Sequence, residues 1–279
     1  MGIKTETGVE VIKPWSGFDI KYALFDFDGT VSLIRQGWQD IMIPYFAEVL
    51  SETNSGESDD EILDTVREFV DTLTGKQTIF QCIRLDEEVL KRGGEHREPI
   101  VYKNEYLRRL AEKIADRKAA LASGELPPEA WQVPGCADFI RKLQDRGVRC
   151  YLASGTDEED VFYEAKLLDL DKAFEGGIHG AHADMTECSK ELVIRDMLER
   201  EKIKPNELVS FGDGYVEVQL VSELGGLAIG AATDEEKRCG INQWKRNRLI
   251  SAGAHAIIPD FTVGDEIIEK ILGGKENAV

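Results

Sequence analysis

A chain of 279 residues, 42% hydrophobic and 31% charged, can bury a sizeable core in one large or two smaller domains, and this composition excludes a disordered polypeptide. A formal net charge of -19 argues against a nucleic-acid backbone or an anionic membrane surface as partner, and an anionic substrate then needs a cation to offset the local field. Five dispersed cysteines (Cys82, Cys136, Cys150, Cys188, Cys239) without a C-x-x-C pair, a polar Met1–Glu10 and no run of membrane-spanning length lead to the expectation of a cytoplasmic protein with reduced thiols.

Residues 1–19 are polar around an isolated Trp15 and carry no assignable structure. The first informative stretch is Tyr22-Ala-Leu-Phe-Asp-Phe-Asp-Gly-Thr-Val31, a short apolar run that brings two carboxylates to its end and breaks at glycine. It reads as a buried strand. If the strand persists, Asp26 and Asp28 share one side while Phe25 and Phe27 face the packing, and Gly29 lets the backbone approach a bound group.

After Thr30 the periodicity becomes helical for about a hundred residues. Trp38, Ile41, Tyr45 and Val49 mark a first helix, with Pro44 as a point of kinking. Ser58-Asp-Asp-Glu61 is a capping box ahead of Ile62, Val66, Phe69, Val70 and Leu73. A third helix is expected from Gln77 to Lys91, closed by Gly93-Gly94, and a long charged one from Tyr102 to Leu121. Gly124-Glu-Leu-Pro-Pro128 and Pro134-Gly135 punctuate a change of pattern.

From Cys136 onward helix and strand alternate. Helices are expected at Ala137–Arg146, Asp157–Leu168, Ser189–Lys202 and Val263–Leu272, and strands at Val148–Ala153, near Ile178, at Leu208–Phe211, Leu227–Gly230 and Ala256–Ile258. Strands separated by helices of this length indicate an α/β fold, a doubly wound parallel sheet of Rossmann-like type. Because the first strand precedes the helical block, the core is discontinuous, residues 1–32 with 131–279, and residues 33–130 form an inserted helical cap.

Four sequence sites fall at strand ends or helix starts of this core: Asp26-Phe-Asp28-Gly-Thr30, Ser154-Gly-Thr156, Lys190, and Gly212-Asp213-Gly-Tyr-Val-Glu217. In one parallel sheet these ends converge on a single cleft. They would supply a carboxylate nucleophile, a neighbouring acid, a hydroxyl with free amides, a lysine and a further acid pair. A carboxylate attacking phosphorus needs its charge masked. A divalent metal between Asp26 and Asp213 would do so, with Lys190 and Ser154 on the remaining oxygens, and hard oxygen ligands favour Mg2+ over zinc.

These four motifs, in this order, resemble the haloacid dehalogenase superfamily, in its phosphoglycolate phosphatase and β-phosphoglucomutase branch with a helical cap inserted after the first motif. Val133-Pro-Gly135 through Ala153 and Ala252-Gly-Ala254 through Asp260 resemble the same group. The resemblance implies a Mg2+-dependent phosphatase of a small phosphorylated metabolite, a sugar phosphate or phosphoglycolate-like compound. In the roles it implies, Asp26 is the nucleophile and is phosphorylated, and Asp28 is the general acid and base. Thr30, Ser154, Gly155 and Lys190 would contact phosphate; the metal would sit on Asp26, the backbone carbonyl of Asp28 and Asp213. The fourth motif usually closes with aspartate, and Glu217 stands there instead, as a group orienting metal-bound water. A phosphomutase on the same scaffold is an alternative, as is a phosphate- and metal-binding protein of slow turnover. Asp28 disfavours the dehalogenase and phosphonatase subgroups.

Other residues have plainer readings beside sharper ones. Thr74-Gly-Lys-Gln-Thr78 is either a turn or a specificity loop presenting Lys76 and Gln77. His179 and His182, on a glycine-rich loop without a third ligand, read better as bordering a pocket than as a metal site. Arg238, Lys245, Arg246 and Arg248 form the densest basic patch and read as surface. The sequence leaves the oligomeric state open.

Overall fold

The computed structural model describes residues 8–181 and 189–272. It divides into two compact units, Met1–Gln36 with Arg117–Val279 and Gly37–Asp116.

The first unit is built on a seven-stranded sheet: β1 (Glu10–Val11), β2 (Tyr22–Phe25), β3 (Arg149–Asp157), β4 (Gly177–Ala181), β5 (Leu208–Gly212), β6 (Leu227–Ala231) and β7 (Ala256–Ile258), in the order β1-β7-β6-β5-β2-β3-β4. All pairings are parallel except that of β1, which closes the β7 edge in antiparallel sense. The sheet is therefore mixed, and the lead-in segment supplies one of its edges. Two residues are too short a run for a periodicity signal, so this strand could be found only through its partner.

The helices of the second unit are α1 (Gln39–Ser51), α2 (Asp59–Leu73), α3 (Thr78–Lys91) and α4 (Pro99–Ser123), the last crossing into the first unit. Ser58 and Glu61 make the capping box at the start of α2, which satisfies two amides that otherwise lack helix partners. Pro44 lies inside α1 without ending it. Beyond Asp116 the chain belongs to the first unit, where Arg117 donates to the carbonyls of Ile34 and Gln36 and Lys118 pairs with Glu164. The remaining helices are α5 (Cys136–Gln144), α6 (Glu158–Leu167), α7 (Ser189–Arg200), α8 (Tyr215–Leu224), α9 (Gln243–Ser251) and α10 (Gly264–Leu272). Of these, α8 and α9 add to the expected set. Among the described residues no helix is long and apolar enough to cross a membrane.

β2 lies between β3 and β5, and its side chains alternate between two apolar layers. Leu24 packs with Tyr151, Ile194, Met197, Val218 and Val221. Phe25 stacks on Phe211 at 4.9 Å between ring centroids and meets Phe139, Phe174 and Phe261 edge-on or tilted. Both faces of the strand are thus sealed, which fits its continuous apolar sequence. The register pairs Phe25 with Leu152 on one side and Phe211 on the other. Asp26, which follows the last residue of β2, therefore comes level with Ala153 of β3 and Gly212 of β5 towards the carboxyl edge of the sheet, where open α/β sheets bind ligands.

Candidate active site

β2 ends at Phe25, so Asp26 and Asp28 are not strand residues and do not owe their placement to strand alternation. A tight turn replaces it. The Phe27 carbonyl accepts from the amides of Thr30, Val31 and Ser32, at 3.3, 2.8 and 2.9 Å. Gly29 has φ +75°, a conformation that only glycine adopts without strain. A Cβ on Gly29 would lie 2.2 Å from Asp213 Oδ2, so the missing side chain is what lets the first and fourth motifs touch. Thr30 completes the join. It is fully buried, and its Oγ1 accepts from the Asp213 amide at 2.9 Å, so the hydroxyl expected among phosphate contacts is held by the fourth motif.

Asp26 is buried, with its Oδ1 accepting from the Phe27 amide at 2.7 Å and pairing with Lys190 Nζ at 2.7 Å. Lys190 also donates to Glu217 Oε2 at 3.0 Å. Glu217 in turn takes the Gly214 amide on Oε1 at 3.0 Å, as the third residue of α8. Its carboxylate thus steadies a lysine and caps a helix. Burial disfavours the Lys190 cation, but Asp26 and Glu217 outweigh that and raise its pKa. Burial pushes the Asp26 carboxyl above the usual carboxylate range; Lys190 opposes the rise and the Glu217 and Asp213 charges add to it.

Asp28 accepts from Thr156 Oγ1 at 2.7 Å through Oδ2. Burial pushes its pKa up to about 6, against the pull of the Arg35 cation. A carboxyl poised there can hold a proton and release it near neutral pH, as a general acid and base must. Ser154 is buried within β3, and its Oγ accepts from the Thr156 amide at 3.0 Å. It is not the N-cap of α6, which begins at Glu158. Gly155 lies between the two, partly exposed on the same strand.

Lys245 corrects the sequence reading. It is 9% exposed rather than a surface cation, with Nζ 2.6 Å from Asp213 Oδ2 and a second contact to Glu235. Its pKa is raised because these two carboxylates outweigh its burial. The sequence held a clue: a lysine in the first turn of α9 runs against the preference of a helix N-terminus for negative charge. Arg35 and Glu164 were also not foreseen. The signal for Glu164 was a charge on the apolar face of α6, beside Val161 and Ala165.

Lys76 and Gln77 belong to the helical unit, at the turn before α3, where Lys76 lies over the Phe80 ring. His179 lies in β4, paired with Ala153; His182 lies outside the described residues. Of the other basic residues, Arg246 pairs with Glu10, Arg238 covers Trp131, and Arg248 covers Tyr215 and Trp244.

The donor set fits magnesium. The Asp213 charge is near enough to raise the Asp26 carboxyl, and the Gly29 backbone lies against the Asp213 carboxylate. Among the described residues no three His, Cys, Asp or Glu side chains converge as a ready-made cluster. Two carboxylates, a carbonyl and waters suit an ion that keeps much of its hydration shell.

The family model described as haloacid dehalogenase-like hydrolase matches residues 20–225. The chain belongs to that family. Among solved structures, this haloacid dehalogenase-like hydrolase is similar to a predicted phosphatase from Clostridium acetobutylicum, at 19% identity and TM-score 0.59 over 93% of this chain and 100% of the other. A β-phosphoglucomutase from Clostridium difficile aligns at 12% identity and TM-score 0.60, over 91% and 98%. A predicted phosphoglycolate phosphatase from Haemophilus somnus 129PT aligns at 14% identity and TM-score 0.58, over 89% and 97%. At such identities the likeness is one of fold. No curated protein matches the sequence significantly.

Proposed function

We propose that this hydrolase is a Mg2+-dependent phosphatase of a small phosphorylated metabolite, a sugar phosphate or phosphoglycolate-like compound, working through an aspartyl-phosphate on Asp26. The observation that carries this reading is the buried Asp26–Lys190 pair at 2.7 Å, with Asp28 two residues on and held by Thr156. A buried carboxylate beside a lysine can attack phosphorus while the lysine neutralises the phosphoryl oxygens.

Asp26, Asp213 and the Asp28 carbonyl would hold Mg2+, which would supply charge neutralisation for an anionic nucleophile meeting an anionic ester. The chain's own groups do the rest. Lys190 orients Asp26 and is itself steadied by Glu217. The Asp26 oxygen bonds phosphorus as the ester oxygen leaves, and that oxygen takes the Asp28 proton. Asp28 then removes a proton from water as the water oxygen bonds phosphorus and the Asp26–phosphorus link breaks. In this reading the helical insertion expected at 33–130, which includes the unit Gly37–Asp116, serves as a cap, a type of domain that favours small substrates. Buried free thiols at Cys82, Cys136 and Cys150 support a reducing, cytoplasmic setting.

The test is phosphate release from an aryl phosphate and a panel of sugar and short-chain phosphates, with and without Mg2+, in wild type and Asp26→Asn. Mg2+-dependent turnover lost in Asp26→Asn is expected. Wild type no faster than Asp26→Asn on every member would overturn the proposal.

A further inference from the structure

We propose that Arg35, clamped by Glu164, is a positioning residue for the proton-transfer carboxyl of Asp28. The inference rests on the phosphoryl-transfer reading above and assigns parts to two residues outside all four motifs.

Arg35 is buried, and its guanidinium is fixed from behind. Its Nε lies 3.2 and 3.0 Å from the two Glu164 oxygens, and NH2 donates to Glu164 Oε1 at 2.9 Å and to Asp160 Oδ2 at 2.9 Å. Glu164 is 0% exposed, and Lys118 Nζ also reaches it at 3.3 Å. A fully buried carboxylate is costly unless paired, so this arrangement holds the guanidinium in one orientation. The same Nε, whose N–H is directed at Glu164, lies 3.9 Å from Asp28 Oδ1, an ion-pair distance without a hydrogen bond. That Oδ1 is buried and has no hydrogen bond among the described residues, while Oδ2 is taken by Thr156. The carboxyl of Asp28 is thereby gripped on one oxygen and faces a fixed cation with the other.

This geometry matters when a proton moves. As the phosphorus–ester bond breaks, the Asp28 proton passes to the leaving oxygen, and a carboxylate charge develops on a group whose buried Oδ1 faces Arg35. The Arg35 cation opposes that charge without having to reorganise. In the second step the carboxylate takes a proton back from the attacking water, and the charge disappears. The benefit of Arg35 grows with how much proton the leaving group requires.

Leaving-group dependence therefore tests the proposal. Rapid-quench single turnovers would compare 2,4-dinitrophenyl phosphate, whose leaving group departs without a proton, with a primary alkyl phosphate, whose leaving group needs one. In Arg35→Met the loss on the alkyl ester should exceed the loss on the dinitrophenyl ester by about tenfold or more, within the range of general acid catalysis. Arg35→Lys should recover part of the difference. Because Arg35→Met strands a buried glutamate, Arg35→Met with Glu164→Met supplies a second form lacking that charge, and it should show the same differential. Equal losses on both esters in these variants overturn the proposal and leave the proposed function standing. Wild type inactive on both esters overturns the two together.

Discussion

Lys245 places its Nζ 2.6 Å from Asp213 Oδ2, so the carboxylate that we propose as a ligand of a divalent ion is already partly neutralised by a resident ammonium. A positive charge beside a cation site lowers its affinity, and burial limits the screening by water. Lys245→Met is expected to bind Mg2+ about tenfold more tightly, or about 1.4 kcal/mol, in calorimetric titrations without substrate. An unchanged or weaker dissociation constant would mean that Lys245 props Asp213 in place and does not compete for it.

Gly29→Ala strains the site twice. The residue sits at φ +75°, and its new Cβ would meet Asp213 Oδ2 at 2.2 Å. The backbone term alone costs about 1–2 kcal/mol, and Asp213 must shift to admit the methyl group. Denaturant unfolding should show the lost stability, and Mg2+ titration a weakened site. A variant as stable as wild type would refute the strain argument.

Lys190 is 4% exposed between Asp26 and Glu217, so Lys190→Met leaves two buried carboxylates without their shared cation. Breaking such a pair costs about 3–5 kcal/mol. Adding Glu217→Gln removes one of the stranded charges and should restore part of the loss, while phosphate release stays abolished. Urea unfolding of the single and double variants checks this; a single variant within error of wild type would contradict it.

Two imidazoles should titrate in opposite directions from the ordinary histidine value of about 6.5. His96 bonds to Asp86 Oδ2 at 2.7 Å, which raises its pKa. Stability from His96 is therefore present below the unfolded-state value and lost as pH rises through the folded one. His255 is lowered, by burial first and then by the Lys13 charge. Its contribution is present above the unfolded-state value and lost as pH falls toward the folded one. Proton NMR titration of the two rings measures both directly, and a shared midpoint would disprove the assignment.

The candidate site was legible where it sits in short motifs whose neighbours in space are also neighbours in sequence. Asp26 and Asp28 are two residues apart, Ser154 and Thr156 likewise, and Asp213 precedes Glu217 by four. Lys190 needed the set around it to stand out from a surface lysine. Arg35 and Glu164 are 129 positions apart, and Lys245 lies 32 from Asp213. No periodicity or spacing links such pairs, and the lysine in particular sat in a basic run that composition alone assigns to solvent. The expected strand geometry of Asp26 and Asp28 failed for a related reason: the turn after Phe25 is made by amides converging on the Phe27 carbonyl, a feature of backbone hydrogen bonding that side-chain alternation does not report.

The sequence by itself determined the α/β class and a helical insertion after the strand at Tyr22–Phe25, because hydrophobic period and turn residues encode local structure directly, and it offered the acids and lysine at strand ends and helix starts as candidates. The tertiary structure decided which charges meet. Register at Phe25, Leu152 and Phe211 sets the level at which Asp26 leaves the sheet, and close packing of Gly29 against Asp213 joins two motifs far apart in the chain. Burial then fixed the pairings of Lys190 with Glu217, Arg35 with Glu164 and Lys245 with Asp213, since a charge withdrawn from water must find its partner wherever the fold has placed one.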